Sequence, residues 1–534
     1  MPKNIVKLFK LNYRYIYVGM LMILAVVLPH SRFLLSMSEM GLVFFWILEG
    51  NFKFKIRQLK THPEIIIFAS IFLLHIVGLI YTQNFAYAAK DLKIKLPILL
   101  FPIVLGTSLK LTAKEVKLIL IIFTISIIAK TFYGIASLLG LTGVEIINLQ
   151  RLAGKFSHIR YALLLNMAAY SMVYYLLFSK EKEKLKYKIF YAIGFIWLSF
   201  FLLLLHSVTG WVIWCILLIF SMLYYIYLQK NKKIKIITSG ISVLVAAGII
   251  SYTAHSVQRF YKTDVINPDK IEKYTKSGNK YQNNFAASQK ENGHFVYIYL
   301  CEKELKEEWN KRSNIKYGSL DKKNQKIKYT LIRYLTSENL RKDKEGVQKL
   351  SEQDVKNIEN GMTNYIFANK FSVYPKIYEF LWQTDRYFSG GNPENQSVSQ
   401  RFEFLKNGKE IIKRNFWFGT GTGDVKDEFE KQYRLSQSKL SENHRLRAHN
   451  QYVTFFIAFG LIGFLWFLFA LIYPIIKTKK YKSYLFLVSF IIIGLSMLNE
   501  DTAETQMGAT VFAFFLSFFL FAEEKTTISS YKEK

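Results

Sequence analysis

The residues best suited to chemistry lie near the end of a long hydrophilic stretch, at Arg401 and at His449-Asn450. Ser399 predicts a helix cap, and Phe402, Leu405, Ile411 and Ile412 predict an apolar helix face, which puts Arg401 in a first helical turn. His449 and Asn450 stand directly before an apolar run, 451 to 476, long enough to cross a bilayer. An arginine can grip an oxyanion with two hydrogen bonds, and an unperturbed imidazole titrates near neutrality. Delivered together to the water face of a membrane, they suit holding an anionic group and removing a proton beside it. Taken singly, each has a plainer reading: Arg401 as a surface residue of an amphipathic helix, His449 as an anchor at the start of a span.

Other charged residues call for a reason because they sit in or beside apolar runs. Glu39 and Lys130 fall at similar depths, roughly 9 to 13 Å from the ends of their runs by helical rise. A buried ion pair between them is expected, with snorkelling of Lys130 as the alternative. Arg160, in Phe156-Ser157-His158-Ile159-Arg160-Tyr161, reads either as an interfacial anchor or as a second functional cation. Glu500, Asp501 and Glu504 occupy the turn between the last two runs, where solvated turn residues are the simple reading and a contact from Asp501 to His449 or to a basic residue of the site the functional one.

These residues must be positioned by a chain of 534 residues that is 51% hydrophobic yet carries a formal charge of +32. Long uncharged runs separated by lysine-rich loops resolve that contrast as an all-α polytopic membrane protein. The runs fall near 15–29, 33–49, 64–82, 96–108, 118–139, 159–178, 188–205, 208–228, 235–254, 451–476, 483–498 and 507–522. That is about twelve transmembrane helices, some short or tilted, with the 188–228 block divided at His206-Ser207-Val208-Thr209-Gly210 because it is too long for one crossing.

Basic residues crowd the loops at 53–60, 110–117, 180–188, 230–235 and 477–482, which by the positive-inside rule places both termini in the cytoplasm. The chain then divides into nine spans in 1–254, a large, mainly helical outer loop domain in 255–450, spans ten to twelve in 451–522 and a cytoplasmic tail in 523–534. The loop domain is itself net basic, with 36 Lys and Arg against 25 Asp and Glu, a balance suited to acidic glycans, diphosphates and lipid head groups rather than to any one of them. Its front, 264 to 328, is polar and predicts mobile or variable surface structure. Ser351-Glu352-Gln353-Asp354 predicts a capping box opening a helix that stops near Gly361, and a second helix is expected from Val373 to Trp382. Cys215 and Cys301 predict no disulfide, and no metal-ligand spacing is present.

The order Arg401, Gly419-Thr420-Gly421-Thr422-Gly423, His449-Asn450 and Gly460-Leu461-Ile462-Gly463 resembles the O-antigen ligase family, whose pattern is a helix-opening arginine, a G-x-G-x-G turn and a His-Asn pair entering a span before Gly-x-x-Gly. The resemblance implies transfer of a glycan from an undecaprenyl diphosphate carrier to an acceptor hydroxyl, such as lipid A core, at the periplasmic face of the inner membrane. It also implies Arg401 on the donor diphosphate and His449 as base or acceptor-orienting group, supported by Asn450 and Asp501. Arg160 and Lys130 are further candidates for the diphosphate, and Glu39 for support.

The chain departs from the family at Val208, where a Ser-Arg-Thr-Gly-like turn would carry a second arginine; Arg160 is the candidate substitute. The glycine turn lacks the lysine and strand of a phosphate loop and reads as a tight turn placing Asp424. The resemblance implies an inverting displacement; the absence of a D-x-D pair agrees with a metal-free mechanism, and no cofactor is expected. A monomer is expected, working among membrane lipids and with no nucleic-acid partner. The rivals are a polysaccharide polymerase, a protein O-glycosyltransferase of the same chemistry and, from another class, a transporter or flippase. The last would need matched interrupted spans around midplane charges, which the chain lacks.

Overall fold

The computed structural model describes residues 3–523 apart from 145, 147, 148, 155, 180–182, 288, 370 and 371. The expected cytoplasmic tail, after residue 523, lies outside the described residues. Helix dominates, and each of the twelve apolar runs carries one. Among the described residues, seven helices are long and apolar enough to cross a membrane; an eighth is the pair Arg32–Glu49 and Phe52–Thr61 if counted as one span, and these meet at 107°. Three others, Asn12–Val27, Tyr484–Asn499 and Gln506–Ala522, are apolar but shorter. The run expected at 96–108 belongs to a longer helix, Phe85–Thr107, whose first half brings in Lys90, Asp91, Lys93 and Lys95. The division of the 188–228 block holds: helices Leu185–Leu204 and Val208–Leu228 are separated by His206, with φ of 52°, and Ser207 caps the second.

The contacts gather the chain into two compact units, Met1–Ser242 with Ser389–Lys534, and Val243–Phe388. The Arg401 helix, the glycine turn and His449 thus group with the apolar helices, while the earlier part of the hydrophilic segment forms the other unit. In the first unit Gln506–Ser517 packs on Phe85–Thr107, which packs on Pro63–Val77, which in turn packs on Gln451–Lys477.

The 243–388 unit corrects one expectation. Residues 264–328, expected as mobile or variable surface, contribute to a packed core: the helix Glu302–Arg312 buries Leu305 and Trp309, one turn apart, with Val296, Ile327, Leu331, Leu335 and Ile358. Few apolar residues suffice because polar side chains close the unit. The Trp309 indole donates to the Ile315 carbonyl at 2.8 Å, and Arg312 donates to the carbonyls of Val347 and Leu350 at 2.7 and 2.6 Å. The Ser351 capping box forms and opens Glu352–Glu359, with Gly361 at φ of 74° just beyond its end. The second helix runs Tyr374–Phe388, six residues past the expected end.

Candidate active site

Arg401 is carried by the helix Ser397–Arg414. That helix starts three residues earlier than the Ser399 cap would place it, so Arg401 lies in its second turn. Ser399 is buried inside the helix and bonds Gln396 at 3.0 Å. The buried face is also rotated from the expected one: Phe404, Asn407, Gly408 and Ile411 face inward while Leu405 is exposed. Phe404 matters to the site, because its ring stacks on His449 with centroids 5.5 Å apart and planes 28° from parallel.

The glycine turn fixes this helix against the span that follows His449. Gly460 breaks Gln451–Lys477 at φ 61°, ψ −168°, and the backbone bonds lost there are exchanged with the turn. The amides of Thr420 and Gly421 donate to the carbonyls of Ile457 and Ala458 at 2.8 and 3.0 Å, while the Leu461 amide donates to the Phe416 carbonyl at 2.7 Å. The two backbones pass so closely that a Cβ on Gly419 would lie 2.5 Å from the Gly460 nitrogen, and one on Gly460 would lie 2.3 Å from the Trp417 carbonyl carbon. Beyond the turn, Asp424 accepts the Gln83 and Asn84 amides at 2.8 Å each. The glycine run is therefore a positioning device of the kind its sequence predicts, and Asp424 is what it places.

His449 sits at φ of 48°, in the left-handed region that a histidine rarely adopts. Asn450 follows as the helix cap: its side chain accepts the Val453 amide at 3.1 Å and donates to the Leu498 carbonyl at 2.9 Å, tying this end of the span to Tyr484–Asn499. The histidine thereby faces the 500–505 turn. There Glu500, and not Asp501, is its carboxylate: one Glu500 oxygen pairs with Arg401 Nη2 at 3.0 Å and the other lies 3.9 Å from His449 Nδ1. The second distance is electrostatic contact, too long for a hydrogen bond. Burial pushes the Glu500 carboxyl up, but His449, Arg401 and Arg160 outweigh it and hold it below the usual carboxylate range. Asp501 instead accepts from Thr454 Oγ1 at 2.7 Å, and burial raises its carboxyl above the usual range against the pull of Arg447.

Arg160 lies within electrostatic reach of Glu500, Asp501 and Arg32. Lys130 and Arg32 share the Phe156 ring, at 4.0 and 6.0 Å from its centroid, and Lys130 also lies 4.6 Å from that of Tyr161. The expected Glu39–Lys130 pair does not form: Glu39 accepts from Thr510 on the Gln506–Ser517 helix, whereas Lys130 donates to the Pro29 carbonyl. Equal depth in two helices was not enough to make them neighbours. Val208, where the family arginine would stand, is exposed; its neighbour Thr209 accepts from Asn499, one residue before Glu500.

The outcome is a cation excess. Among the described residues, no carboxylate lies within 4 Å of the charged nitrogens of Arg32, Lys130 or Arg160, and Arg401 shares Glu500 with His449. Buried Nε atoms of Arg160 and Arg401, and Nδ1 of His449, have no hydrogen-bond partner among the described residues. Such donors leave an open demand for an oxygen-rich anion.

A second charged group occupies the other end of the same turn. Lys95, buried within its helix although its sequence position suggested a loop, pairs with Asp91 at 2.6 Å and Glu504 at 2.7 Å. Glu504 also takes Arg447 at 2.6 Å and Gln451 at 3.0 Å, and Gln451 accepts the Ala503 amide at 2.8 Å. Reading the sequence missed Glu500, Phe404, Arg32 and this group. The i, i+4 spacing of Asp91 and Lys95 was the one available signal.

No curated protein matches the chain. A family model described as O-antigen ligase, whose members are membrane glycosyltransferase-like enzymes, matches residues 361–468. That segment carries Arg401, the glycine turn, His449 and the break at Gly460, so the similarity to the O-antigen ligase family falls on the candidate site.

Proposed function

We propose that the protein is a membrane glycosyltransferase of the O-antigen ligase type, which moves a glycan from undecaprenyl diphosphate to an acceptor hydroxyl, with lipid A core as the first candidate, at the periplasmic face of the inner membrane. The observation that carries this reading is the cation excess around Glu500: guanidinium groups with unused donors meet a histidine at one turn. A diphosphate near low-dielectric lipid needs such partners, and cations already in place stabilise the charge that grows on the leaving oxygen.

In the proposed step, the acceptor oxygen attacks the anomeric carbon while the bond to the diphosphate oxygen breaks, inverting that centre. The electron pair leaves with the diphosphate, held by Arg401 and Arg160 with Lys130 and Arg32 behind them. The hydroxyl proton passes to His449. Glu500 on the Nδ1 side favours the tautomer with its proton there, leaving Nε2 as the base. Asn450 and Asp501 support the site through backbone and Thr454 contacts, and Glu39 through Thr510.

The test uses a deletion strain complemented with wild type, His449→Ala or Arg401→Ala, with lipopolysaccharide and carrier-linked glycan assayed side by side. Long glycan accumulating on the carrier while the core stays bare is the expected result for both variants. Glycan shortened to a single repeat would reassign the chain as a polymerase. Unchanged patterns for both would overturn the reading.

A further inference from the structure

The 243–388 unit holds a cleft of about 410 Å³, within the size range of small-molecule sites. It is lined by Asp264, Lys270, His294, Tyr299, Arg341 and Lys342. Lys342 is only 3% exposed, and its backbone is locked between neighbours: its amide donates to the Tyr299 carbonyl at 3.0 Å and its carbonyl accepts from Cys301 at 2.8 Å. Its ammonium has one long hydrogen bond, 3.4 Å, to the Phe295 carbonyl.

The carboxylates nearby are engaged elsewhere. Asp343 takes the Tyr281 hydroxyl and the Gly346 amide, and Asp264 takes His294 Nδ1 at 2.6 Å. Arg341 pairs with Glu272 at 2.8 Å and lies 3.6 Å from the centroid of Tyr299, which fixes it at the cleft. A buried ammonium without a carboxylate is costly, and a cleft that offers it two further cations and one spoken-for carboxylate lacks a counter-ion.

We propose that this cleft binds an oxyanion carried on a ligand of monosaccharide size, a uronate or a sugar phosphate, with the charged group on Lys342 and Arg341. The amides of Asn267 and Asn339, also in the lining, are suited to the sugar hydroxyls. None of these residues belongs to the Arg401–His449 group, and the proposal does not depend on the transfer reading.

Burial, with Arg341 adding to it, lowers the Lys342 ammonium to about 7, so its charge is available below that pH and fades above it. An anion that pairs with it should bind with proton uptake, and more weakly as pH rises. The other groups facing Lys342 are Asp264, Lys270, His294, Arg341 and Asp343. The variant below separates Lys342 from these neighbours.

The experiment is calorimetric titration of the full chain in lipid nanodiscs with glucuronate, glucose 6-phosphate, inorganic phosphate and glucose, at pH values one to two units on either side of 7. At least one of the first two should bind, glucose should not, and affinity should fall more than about tenfold across that interval. Lys342→Met should remove both the binding and its pH dependence while leaving the melting temperature level or higher, and Arg401→Ala should bind as wild type does. Binding of glucuronate alone marks a carboxylate ligand, and of glucose 6-phosphate alone a phosphate ligand. Any of four outcomes overturns the proposal: equal binding of glucose, inorganic phosphate as tight as the sugars, Lys342→Met indistinguishable from wild type, or no heat at millimolar concentrations. Should Lys342→Met fail to fold, wild-type affinity that does not fall above pH 7 sinks the proposal on its own.

Discussion

Two charged groups share one short turn and are built in opposite ways. At Glu504 the charges close on one another: Lys95 and Arg447 meet Asp91 and Glu504, buried, with Gln451 filling out the bonding of Glu504. Four residues earlier, Glu500 is the shared carboxylate of Arg401 and His449, and Arg160, Arg32 and Lys130 stand near with no carboxylate of their own among the described residues. A balanced buried cluster has its partners within the protein, so its work is to hold helices and the 447–451 segment in place. An unbalanced one is incomplete without something else. Charge balance, rather than charge count, separates the structural group from the candidate site.

Mutations should split along that line. The largest expected effect is His449→Ala, about 10²- to 10⁴-fold in glycan transfer with the melting temperature nearly unchanged, measured on purified protein with carrier-linked donor. A variant that is slow only because it is unfolded would remove the distinction. Glu504→Ala should do the reverse, costing about 3–5 kcal/mol of stability by leaving Lys95 and Arg447 buried without their shared partner. Detergent-resistant melting that matches wild type would show that the balanced cluster is not structural.

The same carboxyl supplies a pH test. Burial raises it, but Lys95 and Arg447 outweigh that and hold Glu504 well below the usual carboxylate range. A depressed acid contributes stability that is fully present above its unfolded value, roughly 4.3, and is lost as pH falls through the folded one. Melting temperature should therefore drop more steeply below about pH 4.5 in wild type than in Glu504→Gln. Parallel curves would mean that the pair contributes nothing. Smallest, Arg160→Ala should raise KM for the donor about tenfold, near 1.4 kcal/mol, with kcat less affected, as expected for ground-state contact with the diphosphate. No change would leave Arg160 as an interfacial anchor and the missing arginine at Val208 uncompensated.

Much of this was legible in the residues. Apolar runs and lysine-rich loops located the helices because burial in lipid or protein demands long uncharged stretches, and the division at Ser207 followed from length alone. The order arginine, glycine turn, histidine singled out the segment that the family model also matches. The front of the hydrophilic segment reads as mobile or variable surface because its core rests on Leu305 and Trp309 with partners far away in sequence, such as Ile358.

What the chain determined by itself was therefore local: where helices form, where the Ser351 box and the glycine turn interrupt them, and which residue types arrive beside His449. Pairing was decided by the tertiary structure. Whether Glu500 or Asp501 meets the histidine depends on the rotation of one turn, and whether Glu39 meets Lys130 depends on which helices are neighbours. Electrostatic attraction acts over a few ångströms through space, and only the packed helices bring residues a hundred or more positions apart within that range.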